Sequence, residues 1–210
     1  MQGGSLLRAE SPHDSPKGAR DRGLLIAQIL ARAWLPDPPP PRITPEQLHA
    51  VAPLLHKQGS SGLAWHRIRS SPLSEHPGAS LLRDGFRYHS LRVRALEGQL
   101  VQVWSFLEDQ GIQAILAKGW SVGRLYPEAG LRPYGDLDLM IAPGQLEAAS
   151  RTWATEAPPS PVELHPNFDM LRDRTREELF ERSRWATLQE RTIQILGAEG
   201  NIGEELGVSP

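Results

Sequence analysis

The 210 residues are enough for one domain of ordinary size with a small additional region, and the 39% of hydrophobic residues can form a core. The formal net charge of −2 provides no overall basic field that would hold a polynucleotide by its phosphates. The chain has no Cys, which excludes disulfide frameworks, thiolate metal sites and cysteine nucleophiles and agrees with a cytoplasmic location. The 19 Gly and 19 Pro residues are about 18% of the chain, against roughly 12% in an average protein, and predict long connections or tails.

The N-terminal part of the chain is predicted to be a tail followed by a helix. Residues 1–22 mix Gly, Ser, Pro and charges of both signs without an apolar period, and we interpret them as a disordered tail. Apolar residues recur at helical spacing from about 24 to 34. Acidic residues precede this stretch, while Gln28 and Arg32 interrupt it, so it is neither a signal peptide nor long enough to cross a membrane.

A proline-rich connector and a second helix follow. Five prolines between Pro36 and Pro41 favour an extended segment, because each ring fixes φ and removes an N–H group. Thr44-Pro45-Glu46-Gln47 has the composition of a capped helix start, and the helix is expected to run to about His56. We therefore interpret residues 23–78 as an N-terminal helical region with a Pro-rich connector.

The central part of the chain alternates between helical and strand patterns. We predict helices over residues 79–110, 120–126 and 143–156, a Pro/Gly-rich turn over 127–133, and strands over 112–117, 136–141 and 162–165. This order predicts an α+β fold with an α/β-like core over residues 79–196, followed by a flexible end over 197–210.

The acidic pair in Gly135-Asp136-Leu137-Asp138-Leu139 is the strongest indication of chemistry. Residues two apart in a strand point to the same face, so Asp136 and Asp138 can meet a cation while the leucines face the core. Paired carboxylates suit Mg²⁺, which prefers oxygen ligands and shares its remaining positions with substrate phosphates. Glu163 lies between Val162 and Leu164 and is the candidate third acid on a neighbouring strand.

A second candidate site lies where the first predicted strand leads into a helix. In Ala117-Lys118-Gly119-Trp120-Ser121, Gly119 allows the backbone to approach a ligand closely, and Lys118 supplies a positive charge. This turn is therefore a candidate phosphate site. A surface lysine at a strand end, and a solvated acidic strand edge, are the alternative structural interpretations.

These motifs together resemble a known family. The stretches from Gly111 to Gly119, Leu125-Tyr126-Pro127 and Gly130 to Leu139 are similar to the uncharacterised bacterial nucleotidyltransferase family of the DNA polymerase beta-like superfamily, over roughly residues 80–196. The resemblance implies a small mixed β-sheet with flanking helices. It also implies metal-dependent transfer, with Mg²⁺ or Mn²⁺, of a nucleoside monophosphate from an NTP to a hydroxyl of a small molecule, protein or RNA.

The resemblance also implies roles for individual residues. Asp136, Asp138 and Glu163 correspond to the metal-binding catalytic acids. The phosphate-holding positions are Lys118, Gly119, Ser121 and Arg132, where Arg132 either neutralises a phosphate or pairs with one of the acids. Trp120 separates Gly119 from Ser121 where the superfamily has a Gly-Ser pair, and only residues 157–161 separate the last helix from the third-acid strand.

Two functions therefore remain open from the sequence. One is a nucleotidyltransferase; the other is a catalytically degenerate member that binds a nucleotide or a protein partner, which the short connection before Glu163 favours. Three further features are interpreted structurally. His165 is taken as a satisfied or exposed histidine, although it shares the strand face of Glu163 and contact with the site is the alternative. The tryptophans Trp104, Trp120 and Trp153 are taken as core or sheet-covering residues, and Arg172 to Glu178 as a turn with a helix start, with attraction of a polyanion as the alternative.

Overall fold

The computed structural model describes residues 16–156, 161–166 and 174–197. These residues divide into two compact units, and the boundary between Gly85 and Phe86 falls within one long helix. Among the described helices, none combines the length and the apolar character that a membrane crossing needs. The disordered tail was predicted over residues 1–22 and the flexible end over 197–210; of these, residues 1–15 and 198–210 lie outside the described residues. Residues 16–22 are helical, so the prediction of a disordered tail is wrong for that part.

The first unit is helical. It contains three helices, a 3-10 helix Pro72–Glu75 and the start of the long helix; the three are α1 (Pro16–Leu30), α2 (Pro45–Lys57) and α3 (Ser61–Ile68). Its core consists of aliphatic side chains from these elements, among them Ile29, Leu48, Leu55, Ile68 and Leu82, all fully buried. The predicted N-terminal helical region therefore has a hydrophobic core of its own.

The first helix begins earlier than the sequence indicated. The prediction of residues 24–34 is wrong at both ends, because α1 starts at Pro16 and the chain leaves it at Leu30. The early turns of α1 carry mostly exposed charged residues such as Lys17 and Arg20, so they show no apolar period. Arg32 has a left-handed backbone with φ of 63°, which is incompatible with a continuing α-helix.

The predicted start of the second helix is confirmed. The Thr44 hydroxyl accepts a hydrogen bond from the Gln47 N–H, and the Gln47 side chain accepts one from the Thr44 N–H, which together form a capping box. Pro45 occupies the first helical position. Helix α3 was not predicted, because its eight residues include few apolar side chains with a clear period.

The second unit is built around a sheet. The long helix α4 (Pro77–Asp109) confirms the predicted helix over 79–110. It is followed by three helices, α5 (Gly119–Gly123), α6 (Leu146–Glu156) and α7 (Arg176–Glu181), and by the five strands β1 (Ala114–Ala117), β2 (Leu137–Ile141), β3 (Val162–His165), β4 (Arg184–Leu188) and β5 (Arg191–Ile195). The α+β class with a mixed sheet and flanking helices is confirmed.

The sheet order is β3-β2-β1-β5-β4. Strand β2 runs antiparallel to β1 and parallel to β3, while β5 runs parallel to β1 and antiparallel to β4. The end of β1 and the starts of β2 and β3 therefore lie at the same end of the sheet. This arrangement brings the Lys118 turn and the predicted acids together.

The two faces of the sheet are covered differently. One face packs against α4 and α6, and its core includes Leu137, Leu139, Leu116, Trp104 and Trp120. The opposite face carries a smaller cluster of Ile115, Ala117, Met140, Leu179 and Leu196, to which α7 contributes. The burial of Trp104 and Trp120 confirms their interpretation as core residues, and Trp153 packs partly buried against the same core.

Three sequence predictions of this unit need correction. The hairpin of β4 and β5 was not predicted: Ile193 and Ile195 alternate with polar residues in β5, but β4 exposes Trp185 and buries only Leu188 fully, so its pattern indicates no clear buried face. Helix α5 spans Gly119–Gly123 instead of 120–126, and α6 begins at Leu146 instead of 143. The predicted helix start near Glu178 is found in α7, where Thr175 forms a capping box with Glu178.

Candidate active site

The end of β1 presents a lysine in an unusual backbone conformation. Lys118 has φ of 48° and ψ of −142°, a region that residues other than Gly rarely adopt. Its side chain is partly exposed, and its Nζ atom lies 3.1 Å from Oδ1 of Asp138. The strained turn therefore directs a positive charge to the acidic strand.

Strand β2 buries one carboxylate among apolar neighbours. Asp138 has a side chain that is only 6% exposed, although it lies between Leu137 and Leu139, whose side chains belong to the opposite face. The parallel register pairs Asp138 with Glu163 of β3. The Glu163 side chain is 63% exposed, so one acid is buried and the other is open to solvent.

Strand β3 adds a histidine to the same cluster. The Nε2 atom of His165 lies 2.9 Å from Oδ1 of Asp138 and 3.6 Å from Oε2 of Glu163. Because His165 is two residues beyond Glu163, it lies on the same face of the strand. A buried carboxylate oxygen is thus approached by both an ammonium and an imidazole group.

The structure brings together part of the predicted metal site. Asp138, Glu163 and His165 each offer a ligand atom, and these atoms all lie within 4.8 Å of one another. Asp136 is exposed, directly precedes β2 and is not a member of this group in the part of the chain that the structure describes. The role of Asp136 as a metal ligand therefore stays a prediction.

Helix α5 is packed closely against an aromatic ring. A Cβ atom at either Gly119 or Gly123 would lie 3.4 Å from the ring of Tyr134, in van der Waals contact with it, and one at Gly119 would also lie 3.3 Å from the Asp136 carbonyl oxygen. The ring of Tyr134 therefore packs directly against the backbone of this helix. Helix α5 has only five residues and few aligned peptide dipoles, so the charge of Lys118 matters more to an anion than the helix terminus.

Ser121 and Arg132 contact the backbone of the turn. The buried Ser121 hydroxyl donates to the Lys118 carbonyl over 2.6 Å, and Nη1 of Arg132 donates to the Gly119 carbonyl over 3.2 Å. Both side chains thus help to hold the conformation that positions Lys118. The phosphate contacts predicted for Gly119, Ser121 and Arg132 stay predictions.

Tyr134 is polar but largely enclosed. Burial raises the pKa of its phenol, the nearby Glu97 carboxylate raises it further, and the Arg132 guanidinium partly offsets the rise. The hydroxyl is therefore neutral at physiological pH. Its buried oxygen has no hydrogen-bond partner among the residues that the structure describes.

His165 is the site residue whose role the sequence did not establish. Its position two residues after Glu163 gave the correct face and left contact with the site as the alternative, and the structure places it against Asp138. The missing information was the register of β3 against β2. This register pairs Asp138 with Glu163 and Met140 with His165, and it thereby brings the imidazole to the buried acid.

Comparison with known proteins adds a family match. A sequence model of the family described as uncharacterised nucleotidyltransferase matches residues 44–154, which is more than half of the chain. The match includes Lys118, Asp136 and Asp138, extends into the helical unit and ends before Glu163 and His165. No curated protein and no solved structure gives a significant match.

Proposed function

We propose that this chain, which belongs to the uncharacterised nucleotidyltransferase family, transfers a nucleoside monophosphate from an NTP to a hydroxyl group with the help of a divalent cation. The family supports the general reaction class. The observation that carries the proposal is the meeting of the Lys118 ammonium with the Asp138 carboxylate beside Glu163 and His165. A cation site next to a lysine is suited to a triphosphate, because both neutralise phosphate oxygens.

The donor set fits a hard divalent cation. The carboxylates of Asp138 and Glu163 are oxygen ligands of the kind that Mg²⁺ and Mn²⁺ prefer, and we assign the cation to them, with Asp136 as the further predicted ligand. An imidazole suits Mg²⁺ less well. We therefore assign His165 to the orientation of Asp138 through their 2.9 Å contact.

The divalent cation and the side chains would supply different parts of the chemistry. When bound, the cation would polarise the phosphoryl group and stabilise charge on the leaving oxygen. Lys118 holds the triphosphate by its ammonium group, while the turn fixed by Ser121 and Arg132 keeps that group in place. The acceptor oxygen forms a bond to the α-phosphorus, the bond to the β-phosphate oxygen breaks, pyrophosphate leaves, and the hydroxyl proton passes to solvent.

Calorimetry tests the proposal directly. We expect an ATP analogue that resists cleavage between the α- and β-phosphates to bind in the presence of Mg²⁺ and to lose at least tenfold in affinity in Asp138→Asn. Asp109→Asn is the matched control, because Asp109 is an exposed acid at the end of α4. An intact wild-type protein that binds no NTP with Mg²⁺ or Mn²⁺ would contradict the proposal.

The acceptor is tested in a second experiment. NTPs labelled at the α-phosphate would be incubated with the protein alone, with cellular RNA and with a small-molecule extract, and the labelled product would be identified. A small molecule, a protein or an RNA is each compatible with the reaction. Label in any product must disappear in Asp138→Asn.

A nucleotide-binding protein without catalysis is the second candidate. It is favoured by one observation: the Lys118 ammonium already lies 3.1 Å from the Asp138 carboxylate and neutralises it without a metal. In that case the NTP would bind without Mg²⁺, and Asp138→Asn would leave the affinity unchanged. The same calorimetric experiment therefore separates the two functions.

A further inference from the structure

A partly enclosed pocket of about 230 Å³ lies in the sheet-containing unit. Its walls are helix α4, helix α5 with the loop that follows it, and the end of β4. Trp120 and Leu188 line the pocket and belong to the core on the face of the sheet opposite Asp138. Its lining includes neither Lys118 nor Asp138, so a molecule bound here would not occupy the candidate active site.

A carboxylate and a guanidinium line this pocket without neutralising each other. They belong to Glu97 of α4 and to Arg132 in the loop before β2, and both side chains are half-buried. The Glu97 carboxylate accepts a hydrogen bond from Nε1 of Trp120 over 3.2 Å, and Nη1 of Arg132 donates to the Gly119 carbonyl over 3.2 Å. Neither side chain has an ion-pair partner among the residues that the structure describes. Each therefore keeps hydrogen-bonding capacity for a ligand.

The ring of Tyr134 lines the same pocket and lies near both charges. Burial raises the pKa of its phenol, the Glu97 carboxylate raises it further, and the Arg132 guanidinium lowers it. Because such electrostatic effects weaken with distance, the carboxylate and the guanidinium both lie close to this ring. One small molecule can therefore reach both charges.

The size and the charges of the pocket match a small zwitterion. Its volume holds roughly eight water molecules at about 30 Å³ each, which suits a free amino acid and is too small for a nucleotide. A carboxylate binds an ammonium group and a guanidinium binds a carboxylate, most strongly where solvent is partly excluded. A ligand with a single charge would engage only one of the two side chains.

We propose that this pocket binds a free α-amino acid, with its ammonium group at Glu97 and its carboxylate at Arg132. The apolar part of the lining, which includes Val93, Ala129 and Leu188, would contact the side chain of the amino acid. The inference goes beyond the proposed function and does not depend on it, because the two sites lie on opposite faces of the sheet.

Calorimetry with the wild-type protein and each common L-amino acid tests the proposal, and we expect the tightest ligand to have an apolar side chain. Two analogues of that ligand each lack one charge. The amide lacks the carboxylate, and the α-hydroxy acid has a hydroxyl in place of the ammonium group. We expect each analogue to bind about tenfold more weakly than the amino acid, because a charge-assisted hydrogen bond is lost.

Two variants assign the ends of the ligand. Glu97→Gln keeps an oxygen for the Trp120 indole but removes the negative charge. It should weaken the amino acid by about tenfold and leave the affinity for the α-hydroxy acid unchanged. Arg132→Gln should weaken the amino acid to a similar extent and leave the affinity for the amide unchanged.

Asp109→Asn is the matched control, because Asp109 is an exposed acid at the end of α4 outside the pocket. Asp138→Asn should also leave amino-acid binding unchanged, which separates this site from the proposed function. Circular dichroism verifies that each protein is folded, and the comparison of analogues on the wild-type protein is decisive even where a variant does not fold.

Three results would overturn the assignment of the pocket. They are a folded wild-type protein that binds no amino acid, an amide or α-hydroxy acid that binds as tightly as the amino acid, and a variant that weakens the amino acid and its analogue equally. None of these results would affect the proposed function. A protein that binds an amino acid but no NTP would overturn the proposed function and leave this inference in place.

Discussion

Asp138 and Leu139 are neighbours in β2, yet they lie on opposite faces of the sheet and have different environments. Leu139 is fully buried in the core beneath α4 and α6. Asp138 is nearly as buried but meets Lys118 and His165, and the exposed Glu163 lies beside it. The difference shows that burial alone does not identify a structural residue, because the partners of a buried group decide what it does.

The largest expected effect is on turnover. Asp138→Asn should reduce pyrophosphate release by about a thousandfold, because loss of a cation ligand removes several kcal/mol of transition-state stabilisation. Its free energy of unfolding should change by less than about 1 kcal/mol, since Asn keeps the volume of the buried side chain and an acceptor oxygen for Lys118 and His165, and Lys118 is partly exposed to solvent. A large loss of stability in urea would instead indicate a structural carboxylate.

Substitution of Leu139, the neighbour of Asp138, should lower stability and leave metal binding unchanged. Leu139→Ala should lower the free energy of unfolding by about 3 kcal/mol, because it removes a fully buried side chain and leaves a cavity. At a temperature where this variant is still folded, its Mg²⁺ affinity should match that of the wild type. Equal effects of both substitutions on stability would remove the distinction between the two faces.

The smallest expected effect concerns His165. Its replacement in His165→Gln should weaken Mg²⁺ or Mn²⁺ binding by roughly tenfold, because the residue orients Asp138 without being the main ligand. Metal titration followed by calorimetry measures this effect, and His165→Asn, which is shorter, should be more severe. A variant with unchanged metal affinity and unchanged turnover would return His165 to a structural role.

The sequence predicted the parts of the fold that have strong local signals. The capped helix start at Thr44, the apolar period of α4 and the short buried strands β1 and β2 each followed from a few adjacent residues. Strands β4 and β5 did not, because their hairpin depends on pairing with β1, which adjacent residues do not specify. The predicted first helix began too late, because the exposed early turns of α1 carry no apolar pattern.

The site was predictable in composition but not in geometry. The alternation around Asp138 and the Lys118-Gly119 turn could be identified from residue types, and the structure brings Lys118 to Asp138. The place of His165 depends on the register of β3, and the exposed position of Asp136 depends on where β2 begins. Both are long-range properties of the sheet, which a single sequence does not encode in neighbouring residues.

The backbone conformation of Lys118 is one that a residue with a side chain disfavours. A glycine would adopt φ of 48° and ψ of −142° without the cost, of order 1–3 kcal/mol, that a side chain brings to such a region. A glycine would also leave Asp138 without its ammonium neighbour. The turn is therefore held by tertiary contacts against local preference, so the position of this amine relative to the acid is set in advance of any ligand.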